Sequence, residues 1–379
     1  MGEDVEDRYW TVFASLWIRE ATVGSIPCHA AHGFPDNPKT RPPPRPRVTR
    51  ILLTFPPREG ERDVVAAVLG DEAAWLVDGA DSAAAEVALS FWPRKELREA
   101  GLDWPAFPRL RYVKVATAGA NHVGWSTWPA GLPLAVTPGA TGPFIAEYVL
   151  GAVIAWARGF WLHTQEIRAG RFRLGAPVRA VSELTVGLVG FGGIGRHTAR
   201  LLRSLGASVQ AVSRSGRADE GDRALVDRLG TVADLPRMVQ ACDVLVLCCP
   251  LTRETLHLVD LDLLSGMSGR PALLVNVSRG PVVKEEDLHA WLDSDGARHF
   301  AVLDVWWQYP KEEGFPFREA FQRLPNVVMT PHNAPNVAGF RHTILEAACR
   351  DVLEELRGGP IRHVVDPEEH RLPVEGDGR

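Results

Sequence analysis

The segment TVGLVGFGGIGRHTARLLRSLGASVQAVSRS, residues 185 to 215, decides the fold of the larger part of this chain. An apolar strand leads into Gly190, Gly192 and Gly195, and a helix and a second strand follow. Glycines at this spacing permit a tight turn, a close backbone approach to a pyrophosphate, and close packing of the helix on the strand. The free N–H groups at the start of the helix attract phosphate. The segment therefore predicts a dinucleotide site at Gly190, Gly192, Gly193, Ile194 and Gly195.

The end of the second strand bears on which dinucleotide is bound. An acidic residue here would accept hydrogen bonds from the ribose hydroxyls of NAD and repel the extra phosphate of NADP. This chain instead has Ser213, Arg214 and Ser215 after Val212. A guanidinium pairs bidentately with phosphate, so the sequence predicts that NADP(H) is preferred. NAD(H) remains possible if Arg214 is only an exposed charge at the end of the strand.

Strands and helices alternate on both sides of this segment. Downstream, four more apolar strands complete a set of six with helical crossovers, which is typical of a doubly wound parallel sheet. Upstream, a second series of strands starts at Val48, and one long helix is expected from about Pro143 to Ala169. We predict an α/β fold with two doubly wound parallel-sheet domains, a Rossmann cofactor domain inserted into a flavodoxin-like substrate domain. The predicted ranges are 48–143, completed by 335–379, for the substrate domain and 144–334 for the cofactor domain.

Composition excludes several classes of protein. A chain of 379 residues is too long to fold around one ordinary hydrophobic core, so more than one domain is expected. The net charge of −5, with no basic cluster, argues against nucleic acid as a partner. The most apolar stretch, residues 144–162, is interrupted by Glu147 and Arg158, so we expect a buried helix and no membrane span. The acidic N-terminus is unlike a secretory signal, and five scattered cysteines suit a reducing compartment, so we expect a cytoplasmic protein.

Residues 1–47 differ from the rest of the chain. The stretch DNPKTRPPPRPR is rich in proline and basic residues, which disfavour helices and inner strands, so we interpret residues 1–47 as a proline-rich N-terminal arm. The preceding CHAAH, Cys28 to His32, lacks a second group of ligands, and no metal site is predicted.

Three further stretches carry the reaction chemistry: LLVNVSRGPVVKEEDL, AVLDVWWQYP and LPNVVMTPHNA. Together with the glycine loop they closely resemble the D-isomer-specific 2-hydroxyacid dehydrogenases, in particular the glyoxylate/hydroxypyruvate reductases. The resemblance covers about residues 48 to 358 in order. It implies an NAD(P)-dependent oxidoreductase, and with the Ser-Arg-Ser end it favours NADPH-dependent reduction of a 2-oxo acid to a D-2-hydroxy acid.

The resemblance also implies roles for individual residues. Arg279 would bind the substrate carboxylate and polarise the carbonyl, and His332 would exchange the proton, since its pKa lies near neutrality. Backbone amides of Ala118, Gly119 and Ala120 would hold the other carboxylate oxygen. Asp304 would contact the nicotinamide amide. The further expected cofactor contacts are Cys249, Pro250, Val277 and Ser278.

One position departs from the family pattern. The family usually has a glutamate five residues after the aspartate, where it pairs with the histidine and raises its pKa; this chain has Tyr309. A one-residue shift of the loop would bring Gln308 to the same place, and Glu312 and Glu313 are nearby. Without the carboxylate, we expect His332 to titrate near its reference pKa of roughly 6.5. Tyr309 is counted among the candidate catalytic residues for this reason.

Two alternatives remain open. Formate dehydrogenases of the same superfamily have glutamine beside their histidine and transfer hydride without a proton donor. A catalytically weak, NADP-sensing protein, as in the corepressors of the superfamily, is the other possibility.

The family also implies a homodimer joined through the cofactor domain, with domain closure about hinges near Pro143 and Asn333. Several aromatic residues could either fill the core or line the substrate pocket: Trp125, Trp128, Trp306, Trp307, Phe315 and Phe317.

Overall fold

The computed structural model describes residues 49–76, 83–99, 103–123, 125–294, 298–308 and 317–372. The predicted proline-rich arm and Tyr309 lie outside the described residues. The predicted substitutes Glu312 and Glu313 lie outside them too.

The first sheet has five parallel strands in the order β2-β1-β3-β4-β5. This is the flavodoxin-like order that the sequence predicts for the substrate domain. The strand β3 was not foreseen, although all four of its residues are buried and it lies in the middle of the sheet. The strands are β1 (Thr49–Leu53), β2 (Ala73–Leu76), β3 (Val87–Ser90), β4 (Tyr112–Val115) and β5 (Leu134–Ala135).

Helices from both ends of the chain cover this sheet. The helices α1 (Glu61–Leu69) and α2 (Pro93–Glu99) follow strands of the sheet itself. The late helix α10 (Phe340–Leu356) packs against α1, and its buried face joins the apolar core of the first sheet, as the sequence predicts. The chain therefore leaves the substrate domain to build the second sheet and then returns to it.

The second sheet has seven parallel strands in the order β12-β11-β10-β9-β6-β7-β8. This is the Rossmann order with one strand added at the outer edge. The sequence predicts six strands and misses β8, whose three residues have no apolar run. The strands are β6 (Thr185–Val189), β7 (Ser208–Val212), β8 (Arg228–Gly230), β9 (Val244–Leu247), β10 (Ala272–Asn276), β11 (His299–Leu303) and β12 (Val327–Met329).

The predicted long helix from Pro143 to Ala169 is wrong in one respect. It is two helices, α3 (Gly142–Ala157) and α4 (Phe160–Arg168), bent by 51° at Gly159. Gly159 has a φ of 65°, a left-handed conformation that glycine adopts without strain. The remaining helices are α5 (Gly193–Ser204), α6 (Glu220–Arg223), α7 (Leu235–Ala241), α8 (Leu261–Ser265), α9 (Glu285–Ser294) and α11 (Pro367–His370).

The helix α3 belongs to the core of the second sheet, because Ile145, Val149 and Val153 are buried against its strands. Within the described ranges, no single helix is long and apolar enough to cross a membrane. The bent pair α3 and α4 meets the length and composition criteria only when the two helices are joined.

The parallel strands of the second sheet all end at one edge, and the predicted site residues follow those ends. Gly190 follows β6, Ser213 follows β7, Val277 follows β10 and Asp304 follows β11. His332 comes three residues after the end of β12. In open α/β sheets this edge is where ligands bind.

Candidate active site

The glycine loop after β6 has no room for side chains on the side that faces the protein. A Cβ at Gly195 would overlap the carbonyl oxygen of Gly190, and a Cβ at Gly193 would overlap the Cα of Gly139. Gly192 is different, because nothing lies within 4 Å of a Cβ at that position. Gly192 also caps α5 without any side-chain hydrogen bond to the helix N–H groups. The loop is therefore closed toward the protein and open at the helix N-terminus, which suits a bound phosphate group.

The other predicted cofactor contacts lie along the same edge. A Cβ at Gly190 would come within 2.7 Å of the backbone nitrogen of Cys249, so the loop after β9 packs directly on the glycine turn. The neighbouring Pro250 carbonyl accepts a 2.7 Å hydrogen bond from Thr255 Oγ1. Val277 and Ser278, after β10, are buried. Ile194 is partly buried against the core of the sheet.

The end of β7 has an unexpected partner. Both terminal nitrogens of Arg214 donate to Glu369 of α11, to Oε1 and Oε2, each at 3.0 Å. Arg214 Nε also lies 3.3 Å from Glu254 Oε2. Ser213 Oγ and Ser215 Oγ accept from the backbone N–H groups of Gly216 and Arg217, at 3.1 and 3.2 Å. Nothing in the sequence pointed to Glu369, which lies 155 residues from Arg214.

Arg279 is held at the carboxyl end of β10 by its neighbours. The buried Asn276 donates from Nδ2 to the Arg279 carbonyl at 3.1 Å and accepts from the backbone N–H of Ser278 at 3.0 Å. Gly280 packs so close to the backbone of Trp306 that any Cβ there would overlap it. Arg279 Nη1 donates to the Ser278 carbonyl at 2.7 Å, which orients one edge of the guanidinium.

The substrate-domain loop after β4 reaches this guanidinium. A Cβ at Gly119 would lie only 2.9 Å from Arg279 Nη2, so the two groups are in contact across the two domains. Ala120 is buried, and Ala118 precedes the contact in the same loop. Asn121 Nδ2 donates to the Leu251 carbonyl of the cofactor domain at 3.1 Å. The structure therefore places Gly119 of this loop against Arg279.

His332 lies in a turn that Asp304 holds. His332 has a φ of 57°, a left-handed conformation that is unusual for a residue with a side chain. The buried Asp304 accepts at Oδ1 from Thr330 Oγ1 at 2.6 Å and from the Asn333 N–H at 2.8 Å, and at Oδ2 from the Ala334 N–H at 3.0 Å. These bonds enclose His332 on both sides and offset the strain of its backbone.

Sequence reasoning did not foresee two residues that support this turn, Tyr148 and Thr330. Tyr148 of α3 shares a 2.7 Å hydrogen bond with Thr330 Oγ1, and burial raises the pKa of Tyr148 to about 12. Trp306 Nε1 donates to the Thr330 carbonyl at 3.1 Å. Thr330 directly precedes the motif Pro331-His332, and its hydroxyl is the only sequence signal that could have suggested this role.

The pKa of His332 is lower than expected. Burial lowers it below the ordinary value of 6.5, the positive charge of Arg279 lowers it further, and Asp304 acts in the opposite direction. The expectation that His332 titrates near its reference value is therefore wrong. The positive charge of Arg279 therefore acts on the His332 imidazole.

The positive charge of Arg279 also acts on a second histidine, His122. His122 Nε2 lies 3.0 Å from the Phe91 carbonyl, an acceptor, so this nitrogen carries the proton. Burial lowers the pKa of His122 to about 4, and Arg279 contributes to the shift. His122 is thus a neutral imidazole at the site. His122 lies two residues after Ala120 in the loop that follows β4, and sequence reasoning did not single it out.

The aromatic residues that were candidates for the pocket pack mainly in cores. Trp306 is buried and contacts Phe317, and Trp307 stacks on Phe321. Trp125 is buried, and with Trp128 it belongs to the core of the first sheet. Phe315 lies outside the described residues. Gln308 is described and is exposed to solvent. Within the described part of the chain, no group of three or more His, Cys, Asp or Glu residues is placed to hold a metal ion.

Comparisons with known proteins agree with this geometry. Residues 150–334 match the family described as D-isomer specific 2-hydroxyacid dehydrogenase, NAD binding domain. An (S)-sulfolactate dehydrogenase of Chromohalobacter salexigens is 32% identical over 241 residues, which are 62% of this chain and 73% of that protein. The chain belongs to the D-isomer-specific 2-hydroxyacid dehydrogenase family.

Other members of the family cover the chain to a similar extent. A glyoxylate reductase of Thermofilum pendens is 29% identical over 262 residues, or 67% of this chain and 74% of that protein. A D-isomer specific 2-hydroxyacid dehydrogenase of Xanthobacter autotrophicus Py2, solved with NADPH and MES, has a TM-score of 0.67 and 25% identity. That likeness covers 85% of this chain and 99% of the other. This 2-hydroxyacid dehydrogenase is therefore an NAD(P)-dependent oxidoreductase with a nicotinamide cofactor.

Proposed function

We propose that this dehydrogenase reduces a 2-oxo acid to a D-2-hydroxy acid and that NADPH is its preferred cofactor. The observation that carries the proposal is that Arg279 contacts the Gly119 loop and that Arg279 and His332 both follow strands at the carboxyl edge of the second sheet. The three groups supply a cation for the substrate carboxylate, backbone amides for its second oxygen, and an imidazole for the carbonyl. NADPH bound along the glycine cradle supplies the hydride.

Arg279 has the central binding role in this proposal. Its backbone is fixed by Asn276, and one of its terminal nitrogens is held by the Ser278 carbonyl. A guanidinium positioned in this way binds a carboxylate in a fixed orientation, which places the neighbouring carbonyl of a 2-oxo acid within reach of His332. The same positive charge stabilises the oxyanion that develops as the carbonyl is reduced.

His332 would donate a proton to the carbonyl oxygen during reduction and accept one from the hydroxyl during oxidation. The hydrogen bonds that Asp304 accepts from Thr330 and Asn333 hold the turn that carries His332. Asp304 remains the proposed contact of the nicotinamide amide, although the described structure already occupies both its oxygens with protein donors. Its larger role would be to shape the turn.

NADPH preference is supported by the absence of an acid immediately after β7 and by Arg214 at that position. Gly190, Gly192, Gly193, Ile194 and Gly195 would hold the pyrophosphate. Ser213, Arg214 and Ser215 would contact the 2′-phosphate, and Cys249, Pro250, Val277 and Ser278 would line the rest of the cofactor site.

The test is oxidation of NADPH and of NADH with a panel of aliphatic, branched and aryl 2-oxo acids. We expect turnover with at least one of them, and a loss of kcat/KM of about a thousandfold in Arg279→Ala, because the carboxylate loses its cation. Arg279→Lys should recover part of the activity, since it restores the charge without the fork. Tight cofactor binding with turnover on no 2-oxo acid would contradict the proposal and favour an NADP-sensing protein.

A second candidate is hydride transfer from formate without proton donation. The observation that favours it is the lowered pKa of His332, which keeps the imidazole largely neutral at neutral pH. Formate belongs in the same panel, with NAD⁺ and NADP⁺ as acceptors. Formate oxidation by a chain that reduces no 2-oxo acid would replace the first proposal with this one.

We also propose that a second copy of the chain covers the face around α4. Several large apolar side chains there are exposed: Phe160, Leu162, Ile167, Phe172, Leu174 and Val178. Leu174 is 90% exposed and Phe172 76%, which is unfavourable in water unless a partner covers them. The expected result is a dimer by light scattering that Leu174→Glu converts to monomer.

Free thiols at Cys242, Cys248, Cys249 and Cys349 support a cytoplasmic location.

A further inference from the structure

The chain after α10 crosses from one sheet to the other, and we call residues 363–372 the C-terminal strap. At its start, the backbone pairs with the edge of the first sheet. The Val136 N–H donates to the His363 carbonyl at 3.1 Å, and the Val365 N–H donates to the Leu134 carbonyl at 2.8 Å. At its end, Leu372 packs against the core of the second sheet. The strap is thus anchored on both domains.

The helix α11 brings the strap to the adenosine end of the cofactor cradle. The Glu369 carbonyl accepts a 2.9 Å hydrogen bond from the Arg253 N–H, in the loop after β9. The next residue, His370, stacks on Trp125 of the substrate domain with ring centroids 6.1 Å apart. These contacts fix the backbone of Glu369 from both sides and set where its side chain can reach.

Glu369 occupies the face of Arg214 that a phosphate would use. Its two oxygens take both terminal nitrogens of the guanidinium, at 3.0 Å each, in the fork geometry that phosphates also adopt. Glu254 lies 3.3 Å from the remaining nitrogen. One cation therefore faces two carboxylates, and a dianionic 2′-phosphate arriving here meets an occupied and negatively charged site.

We propose that Glu369 is a specificity-determining residue that competes with the 2′-phosphate of NADP(H) for Arg214. With the strap in place, the carboxylates accept hydrogen bonds from the ribose hydroxyls of NAD(H), as the missing acid after β7 would. NADP(H) binds when its phosphate displaces Glu369 from the guanidinium. The proposal deepens the proposed cofactor preference and rests on it, because it needs Arg214 to be the phosphate ligand.

The size of the effect follows from exposure. The side chain of Arg214 is 59% exposed and that of Glu369 38% exposed, so water screens the pair. Exposed ion pairs of this kind change an equilibrium constant by up to about fivefold. The strap therefore adjusts the choice between the two cofactors and does not block either one.

The experiment measures the dissociation constants of NADPH and NADH for the full chain without substrate, by the fluorescence of the bound nucleotide. In Glu369→Gln, the dissociation constant of NADPH should fall by about three- to fivefold, while that of NADH stays constant or rises. The pair 2′,5′-ADP and 5′-AMP isolates the phosphate and should show the same difference. Glu369→Ala serves as a second variant that removes the hydrogen-bonding group altogether.

Glu368→Gln is the matched control, because Glu368 lies on the same helix and pairs with Arg371 instead. Its ratio of NADPH to NADH affinity should equal that of the unmodified chain. An unchanged ratio in folded Glu369→Gln and Glu369→Ala, with weaker NADPH binding in Arg214→Ala, would overturn the strap proposal alone. NADPH binding that Arg214→Ala leaves intact would overturn the proposed cofactor preference as well. None of these readouts depends on turnover of a 2-oxo acid.

Discussion

Arg279 and Gly119 touch across the two domains: a methyl group on Gly119 would lie 2.9 Å from Arg279 Nη2. Gly119→Ala should therefore displace the guanidinium by a few tenths of an ångström. We expect the KM for a 2-oxo acid to rise by about tenfold, with little change in cofactor affinity, because only the carboxylate site is disturbed. Gly151→Ala on α3 is the control, since nothing lies within 4 Å of a Cβ there. Equal kinetics for the two variants would contradict the assigned contact.

The glycine cradle makes a prediction that separates binding from folding. Gly192→Ala adds a methyl group in open space at the helix N-terminus, so the melting temperature should stay constant while cofactor affinity falls at least tenfold. Gly195→Ala places its methyl group against the Gly190 carbonyl and should lower the melting temperature. Thermal unfolding and nucleotide titration of both variants check the pair. Full cofactor affinity in Gly192→Ala would show that the pyrophosphate lies elsewhere.

The pH dependence of reduction follows from His332. Reduction needs the protonated imidazole, and a lowered pKa means that this form is lost as pH rises through a value below 6.5. The alkaline limb of kcat/KM should therefore fall at lower pH than for an unperturbed histidine. A substrate carboxylate bound to Arg279 neutralises the positive charge that contributes to lowering the His332 pKa. The alkaline limb of kcat should therefore lie at higher pH than that of kcat/KM.

Profiles from about pH 5 to pH 9 measure both limbs. His122→Asn is the control, because the pKa of His122 is about 4 and its ring is neutral over this range. A kcat/KM for reduction that stays flat across the range would remove His332 as the proton donor.

Asp304→Asn tests the turn around His332. The substitution places an amide N–H₂ among the three donors that Asp304 now accepts, which should lower the free energy of unfolding by about 1–3 kcal/mol. It also removes the charge that raises the His332 pKa, so the kcat/KM limb should move to still lower pH. Thr330→Val loses the hydrogen bonds of the hydroxyl to Asp304 and Tyr148 but keeps the charge of Asp304. It should destabilise the protein without moving the alkaline limb of kcat/KM.

A buried ion pair in the substrate domain gives a prediction about stability alone. Lys114 is 1% exposed and pairs with Asp351 of α10, and it donates to the Val136 carbonyl at 2.6 Å. Asp351→Ala strands the buried ammonium and should cost about 3–5 kcal/mol of unfolding free energy. Lys114→Met should cost less, because Asp351 keeps some access to solvent. Arg350→Ala, in an exposed pair with Glu346, should leave denaturant unfolding nearly unchanged.

Much of the fold could be read from the sequence because apolar runs mark buried parallel strands. The strands on both sides of the glycine loop are of this kind. The helix α10 was recognisable from its helical period instead. The strand β3 was missed because four residues are too few to show a period. The bend at Gly159 was missed because a single glycine in an apolar helix has several readings, and its positive φ depends on packing around it.

The site was predictable where one short motif supplies several groups. Arg279, Asp304 and His332 each lie within three residues of the end of a strand of the second sheet, so topology brings them to the same edge. The partners from distant segments were not predictable. Glu369 meets Arg214 because the C-terminal strap crosses between the domains, and Tyr148 meets Thr330 because α3 packs on the second sheet. The pKa of His332 depends on its burial and on the nearness of Arg279, and neither is encoded locally.

The C-terminal strap also limits how far the cleft between the two domains can open. Its first residues are bonded to β5 and its last to the loop after β9, with three residues, 366–368, between the two attachments. A connection of three residues cannot lengthen much. Any wide opening of the domains about the predicted hinges near Pro143 and Asn333 would therefore require the strap to detach from one domain. A chain that lacks the residues from 364 onward should therefore still fold but adopt more open arrangements of its two domains. Its radius of gyration in solution scattering should be larger than that of the full chain.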